Sequence, residues 1–173
     1  MISKIVLRRT FLVLLGMLAI QRLPAQTASL GSTKVDRVLV LKQKRVLRLL
    51  HGHDIAKEYK VSLGGSPVGP KTQQGDHKTP EGVYVLNSRN PHSQYYKSLH
   101  ISYPTSEQRA AARRRGVFPG GDVFVHGLPN GYHGPSAANR LYDWTDGCIA
   151  VTDAEMDEIW NAVPNGTPIE IRP

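Results

Sequence analysis

Two runs, Val-Phe-Val-His-Gly at Val123–Gly127 and Trp-Thr-Asp-Gly-Cys-Ile-Ala-Val at Trp144–Val151, carry the decision about this chain. The first is β-branched and aromatic, so it predicts a strand that delivers His126 at its end. The second holds Cys148, the only cysteine of the protein, inside an apolar segment. Between them lies a polar, glycine-rich loop, and the two reactive side chains are 22 positions apart. A strand-end imidazole and a thiol in a second apolar run, separated by that loop, make a candidate Cys/His nucleophilic site.

The flanking sequence supports a strand-and-turn domain. Val35–Leu41 and Val46–Leu50 are apolar and β-branched around a turn at 42–44, which predicts a hairpin. A third strand is expected over Ala56–Leu63, ending at Gly64-Gly65. Ser66–Glu81 contains Pro67, Pro70 and Pro80 with Gly69 and Gly75, and reads as a long ordered loop. Gly82–Leu86, Leu99–Tyr103 and Pro168–Ile171 are further strands. Thr105–Arg115 predicts a helix capped by Thr105 or Ser106, with Glu107 in its first turn. Arg113, Arg114 and Arg115 then complement its C-terminal dipole. Thr152-Asp153-Ala154-Glu155 is a capping box opening a helix through Val163, with Met156, Ile159, Trp160 and Val163 on one face. About seven strands and two modest helices predict a β-rich α+β domain of two packed sheets with two or three peripheral helices.

Composition bounds the function. A chain of 173 residues, 40% hydrophobic and 21% charged, suits one globular domain, placed at 35–173 behind a linker at 26–34. Residues 1–25 read as a secretory signal peptide: Lys4, Arg8 and Arg9 precede an apolar run, Phe11–Ile20, too short to span a bilayer. The alternative is an uncleaved anchor, because Leu23-Pro24-Ala25 fits a small-residue cleavage site poorly. Cleavage removes Lys4, Arg8, Arg9 and Arg22 with no acid, halving the formal charge of +8. What remains is an enzyme-like surface rather than a nucleic-acid binder. The expectation is an exported, envelope or periplasmic monomer that meets the membrane only if the signal stays attached. In an oxidising compartment a lone cysteine is a reactive thiol, an intermolecular partner or a small buried residue.

A thiol attacks a carbonyl well only as thiolate, so Cys148 needs a base, and His126 can take its proton and pass one to a leaving amine. The base needs its tautomer held, and the backbone carbonyl of Gly127 is a candidate. Gly147 leaves the space beside the sulfur open, and the amides of Asp146, Gly147 and Cys148 are candidates for an oxyanion hole. No metal or organic cofactor is called for. His51 and His53 sit two apart, but no cysteine or acid has ligand spacing with them.

His126-Gly127 followed by Thr145-Asp146-Gly147-Cys148-Ile149 resembles the signature of the L,D-transpeptidase catalytic domain, the YkuD-like family. Gly75-Asp76-His77-Lys78-Thr79-Pro80-Glu81-Gly82-Val83-Tyr84 resembles that family's upstream Thr-Pro-x-Gly segment, so the likeness covers about Val35 to Pro173. It implies a β-sandwich with Cys148 as nucleophile and His126 as general acid/base. It also implies peptidoglycan stem peptides as partner, cut after the L-centre of meso-diaminopimelate with release of D-alanine and transfer to an amine. Carbapenem-type β-lactams are then expected to acylate the cysteine. Three departures stand out: Asp146 replaces the family's second histidine, Ala150 replaces an asparagine, and the spacer from His126 to Thr145 is slightly long. They leave nucleophile and base intact and open the alternative of an exported hydrolase, a carboxypeptidase or amidase, of the same fold.

Thr145, Asp146, Trp144, Arg140 and His133 are the expected substrate contacts. Arg140 suits a stem-peptide carboxylate, His133 lies in the spacer loop, and Trp144 with Tyr132 would wall a groove or pack on the core. A sortase is a poorer fit, because Asp-Gly precedes Cys148 and the next arginine is Arg172. Papain-like and NlpC-like peptidases place cysteine before histidine. A non-catalytic wall-binding module has no need to keep both His126 and Cys148.

Overall fold

The structure is a computed structural model that describes residues 34–173; the expected signal peptide and all but the last residue of the expected linker lie outside the described residues. Strands β1 (Arg37–Leu41), β2 (Val46–His51), β3 (Asp54–Lys60), β4 (Gly82–Ser93) and β5 (Tyr96–Ile101) come first. Then follow helix α1 (Ser106–Arg114), β6 (Phe124–His126), a 3₁₀ turn at Ser136–Arg140, β7 (Ile149–Ala150), helix α2 (Asp153–Ala162) and β8 (Thr167–Arg172).

The β-rich α+β class holds, but the two expected sheets are one. All eight strands hydrogen-bond in the order β3-β2-β1-β8-β4-β5-β6-β7, parallel at β1–β8 and β6–β7 and antiparallel elsewhere. The sheet curls until its ends touch. Ser62, just past β3, exchanges both backbone bonds with Ala150 of β7 (3.0 and 2.9 Å), and Thr145 bonds Leu63 and Gly65 on the same seam. The reason is the alternation of the strands, which puts one apolar face inward on each. Val38, Val40, Leu47, Leu49, Leu86, Ile101, Val125, Ile149, Ile169 and Ile171 therefore meet in one core.

Both helices start where capping chemistry places them. Thr105 Oγ1 accepts from the Gln108 amide while Gln108 reaches back to the Thr105 amide, and Thr152 and Glu155 form the same reciprocal pair. From α2, Met156 and Ile159 enter the core, with Val163 just beyond its end; Trp160 is only partly buried and lies under the Arg89 guanidinium at 4.0 Å.

Two segments differ from expectation. Strand β4 continues past Leu86 to Ser93 through Pro91, because β4–β5 is irregular between Asn90 and Ser93, where no ladder amide is needed from proline. The Ser66–Glu81 loop is ordered by buried groups. Lys42, expected only as a turn residue, donates to the carbonyls of Gly69 and Thr79 and pairs with Glu81 at 2.8 Å. Replacing Ile159 with alanine is expected to destabilise the domain by about 2–5 kcal/mol, read from the denaturation midpoint at constant m-value.

Candidate active site

His126 is the last residue of β6 and is buried. Its Nδ1 lies 2.7 Å from the carbonyl oxygen of Gly127, so Nδ1 carries the proton and Nε2 the lone pair. Gly127 is confined: a Cβ there would come within 2.6 Å of Asp153 Oδ1 and 2.9 Å of Tyr96 Cβ. Its amide donates to the carbonyl of Tyr95, and Asp153, at the start of α2, takes the amide of Leu128. The imidazole is walled by Tyr95 (centroids 4.6 Å apart) and Trp144 (5.8 Å). Burial lowers its pKa, against the pull of the Gly127 carbonyl, which favours the neutral ring at pH 7.

Cys148 precedes β7, whose parallel pairing to β6 sets Ile149 beside Val125. Cys148 and His126 thereby line one cleft of about 440 Å³. The sulfur lies 3.7 Å from the Asp122 carbonyl oxygen. Burial pushes the thiol pKa up to about 11; the Phe124 amide and Lys71 pull it down, and the carboxylates of Asp146 and Asp122 push it up. These directions leave a thiol and a neutral imidazole in the same cleft at neutral pH.

Thr145 holds the turn that presents the cysteine. Its Oγ1 donates to the Cys148 carbonyl at 2.8 Å and accepts from the Gly147 amide at 3.1 Å. That bond corrects one expectation: the Gly147 amide is already engaged and is not free for an oxyanion, which leaves the amides of Asp146 and Cys148 as candidates. Gly147 is needed for another reason, since its φ is 134° and a Cβ would stand 2.6 Å from the Lys78 carbonyl oxygen.

The remaining expected contacts divide. Trp144 and Asp146 line the cleft with Thr145, and the indole Nε1 is buried with no hydrogen-bond partner among the described residues. Arg140 instead pairs with Glu155 at 2.5 Å, because the 3₁₀ turn carries it to the start of α2 rather than into the cleft. His133 is exposed in the spacer loop and does not line the cleft. Asp146 turns outward, its side chain 89% exposed, and meets His77 Nδ1 at 2.7 Å.

Four residues carry weight that sequence reasoning had not assigned. Tyr95 sits in the β4–β5 turn, hidden behind Pro91. Asp153 was read only as part of a cap. His77 and Lys71 come from the proline-rich loop, and a histidine beside aspartate in the Gly75–Tyr84 run was the available signal. Lys71 is buried against Asp76 at 2.8 Å. Although burial opposes it, the Lys71 ammonium and the amides of Thr72, Gln73 and Lys78 hold the Asp76 carboxyl at about 2.

With a strand-borne histidine and a Gly-Cys turn in one cleft, comparison with known proteins becomes specific. The model of the YkuD family, the L,D-transpeptidase catalytic domain, matches residues 35–171. The chain belongs to this family. Escherichia coli (strain K12) YafK, named as a candidate L,D-transpeptidase, is 30% identical over 133 residues, covering 73% of this chain and 46% of that protein. The chain therefore spans about half the length of that relative. The helical cell shape determining protein Pgp2 of Campylobacter jejuni, solved in a mutant form, superposes with a TM-score of 0.62 at 26% identity. That match covers 82% of this chain and 48% of Pgp2. An L,D-transpeptidase of Xylanimonas cellulosilytica shares the fold at a TM-score of 0.53 and 18% identity, covering 82% and 62% of the two chains.

A thiol with a pKa pushed up to about 11 is less ionised at pH 8 than an ordinary cysteine. Iodoacetamide labelling of Cys148 is therefore expected to keep rising through pH 9.5; a plateau below pH 8 would contradict this electrostatic picture.

Proposed function

We propose that the protein is an exported peptidoglycan L,D-transpeptidase that acts through a thioester on Cys148. The supporting observation is the shared cleft, lined by Cys148 and by an imidazole whose Nδ1 is tied to a carbonyl and whose Nε2 is left basic. The membership in the L,D-transpeptidase family supports the substrate class, the peptide stems of the cell wall. Pgp2, described as determining helical cell shape, supports wall remodelling as the task.

His126 Nε2 takes the proton of Cys148 as the sulfur attacks the carbonyl after the L-centre of diaminopimelate. The tetrahedral oxyanion is held by the amides of Asp146 and Cys148. The C–N bond then breaks, the imidazolium gives its proton to the departing D-alanine amine, and an acyl-thioester remains. An acceptor amine attacks that thioester, forming the new amide and releasing the sulfur. Tyr95 and Trp144 shield the imidazole from water, which keeps its proton for the leaving group. Neither a metal nor an organic cofactor enters these steps.

Incubation with tetrapeptide-bearing muropeptides is expected to yield cross-linked dimers, with an intact-mass adduct on Cys148 that Cys148→Ser abolishes. His126→Gln is expected to slow adduct formation by about 10²–10⁴-fold. Shortened stems in place of dimers would replace transfer by hydrolysis, and absence of any adduct would remove the thioester altogether.

A further inference from the structure

Cys148 is shared by two clefts. His126 lines one, and His77 lines the other, of about 410 Å³, together with Lys71 and Phe118. Asp122, Asp146 and Cys148 belong to both. In the second cleft Asp146 Oδ1 lies 2.7 Å from His77 Nδ1. A carboxylate oxygen there selects the tautomer with the proton on Nδ1 and leaves a lone pair on Nε2. This is the way a carboxylate orients a catalytic imidazole.

The backbone is built to keep that pair. His77 has a φ of 52°, a conformation that a residue with a Cβ rarely adopts. Its carbonyl accepts from the Ser66 amide at 2.9 Å and stands where a Cβ on Gly64 would come within 2.3 Å. The Lys78 carbonyl is packed on Gly147 in the same way, 2.6 Å from where a Cβ would stand. Asp76, the residue before His77, is held by Lys71 and three amides. The loop that carries the imidazole is therefore clamped to the turn that carries Asp146. An exposed His–Asp pair contributes little to stability, so a strained residue kept in place for it points to chemistry.

We propose that His77, oriented by Asp146, is the general base of the second half-reaction, for the nucleophile that resolves the thioester. This rests on the acyl-enzyme reading above. After acylation the stem occupies the His126 cleft, and the nucleophile, an amine or water, enters from the His77 side. His77 Nε2 takes its proton as its lone pair attacks the thioester carbonyl. The C–S bond breaks, the sulfur leaves with the electron pair as thiolate and is reprotonated from solvent, and His77 returns its proton to solvent. His126 thus serves the cysteine, and His77 serves the acceptor.

The test uses His77→Gly in the full chain, since glycine accepts a φ of 52° without strain. With a tetrapeptide-bearing muropeptide and quenched intact-mass analysis, the acyl-enzyme is expected to form at close to the parent rate. Its decay is expected to slow by about 10²-fold, and added imidazole is expected to restore it. Asp146→Asn, which keeps an oxygen toward Nδ1–H, is expected to resolve faster than Asp146→Ala. Product mass separates an amine acceptor (a dimer) from water (a shortened stem). Decay at the parent rate, slowed decay that imidazole leaves untouched, or loss of acylation in His77→Gly would overturn the role of His77. Absence of an acyl-enzyme in the parent protein would instead overturn the thioester itself, and this role with it.

Discussion

The backbone seam between Ser62 and Ala150 is the constraint on which the rest of the molecule depends. It joins the two ends of an eight-stranded sheet, with Leu63, Gly65 and Thr145 extending it. Each such hydrogen bond adds only about 0.5–1.5 kcal/mol, so the seam is not the main source of stability. That comes from the apolar faces of all eight strands meeting in one core. What the seam supplies is position. It ties the segment after β3, which leads into the proline-rich loop, to the segment that carries Thr145 and Cys148. The seam is local, two bridges just past β3, and among the described residues β3 itself keeps β2 as its one ladder partner.

Three separate pieces of chain then converge on the sulfur. Strand β6 brings His126, the Thr145–Cys148 turn brings the thiol, and the loop before β4 brings Lys71 and His77. Glycines mark where these pieces touch: Gly64 and Gly147 against the loop, and Gly127 against Asp153 and Tyr96. The close approach dictates residue type more than flexibility does. Burial raises the pKa of the thiol and lowers that of the imidazole, so both groups rest uncharged at neutral pH. A protonated thiol is also less open to oxidation than a thiolate.

Much of this was legible in the sequence where the signal is local. The capping box at Thr152–Glu155, the hairpin at the start and the arrival of His126 at a strand end follow from short-range pattern. The Thr-Pro-x-Gly run and the Gly-Cys turn carry the resemblance to the family in the sequence itself. The pattern failed where long-range closure decides. Alternation shows that each strand has an inner face, but not whether those faces belong to two sheets or to one that curls. Strand β7 has two residues, too few for periodicity, and exists because β6 and Ser62 flank it. Arg140 looked free for a substrate carboxylate, yet a 3₁₀ turn brings it to Glu155. The Gly147 amide looked free for an oxyanion until the Thr145 hydroxyl was seen to occupy it.

The arrangement stands on a protonated sulfur and an uncharged ring in one cleft. The most direct measurement is NMR of the ¹⁵N-labelled His126 side chain in the resting protein, titrated across neutral pH. Proton transfer on demand predicts a neutral ring at pH 7 with hydrogen on Nδ1 and a bare Nε2. A His126 found as imidazolium at pH 7, or as the opposite tautomer, would contradict it and mean that the site rests as a thiolate–imidazolium pair or is not poised to take the Cys148 proton.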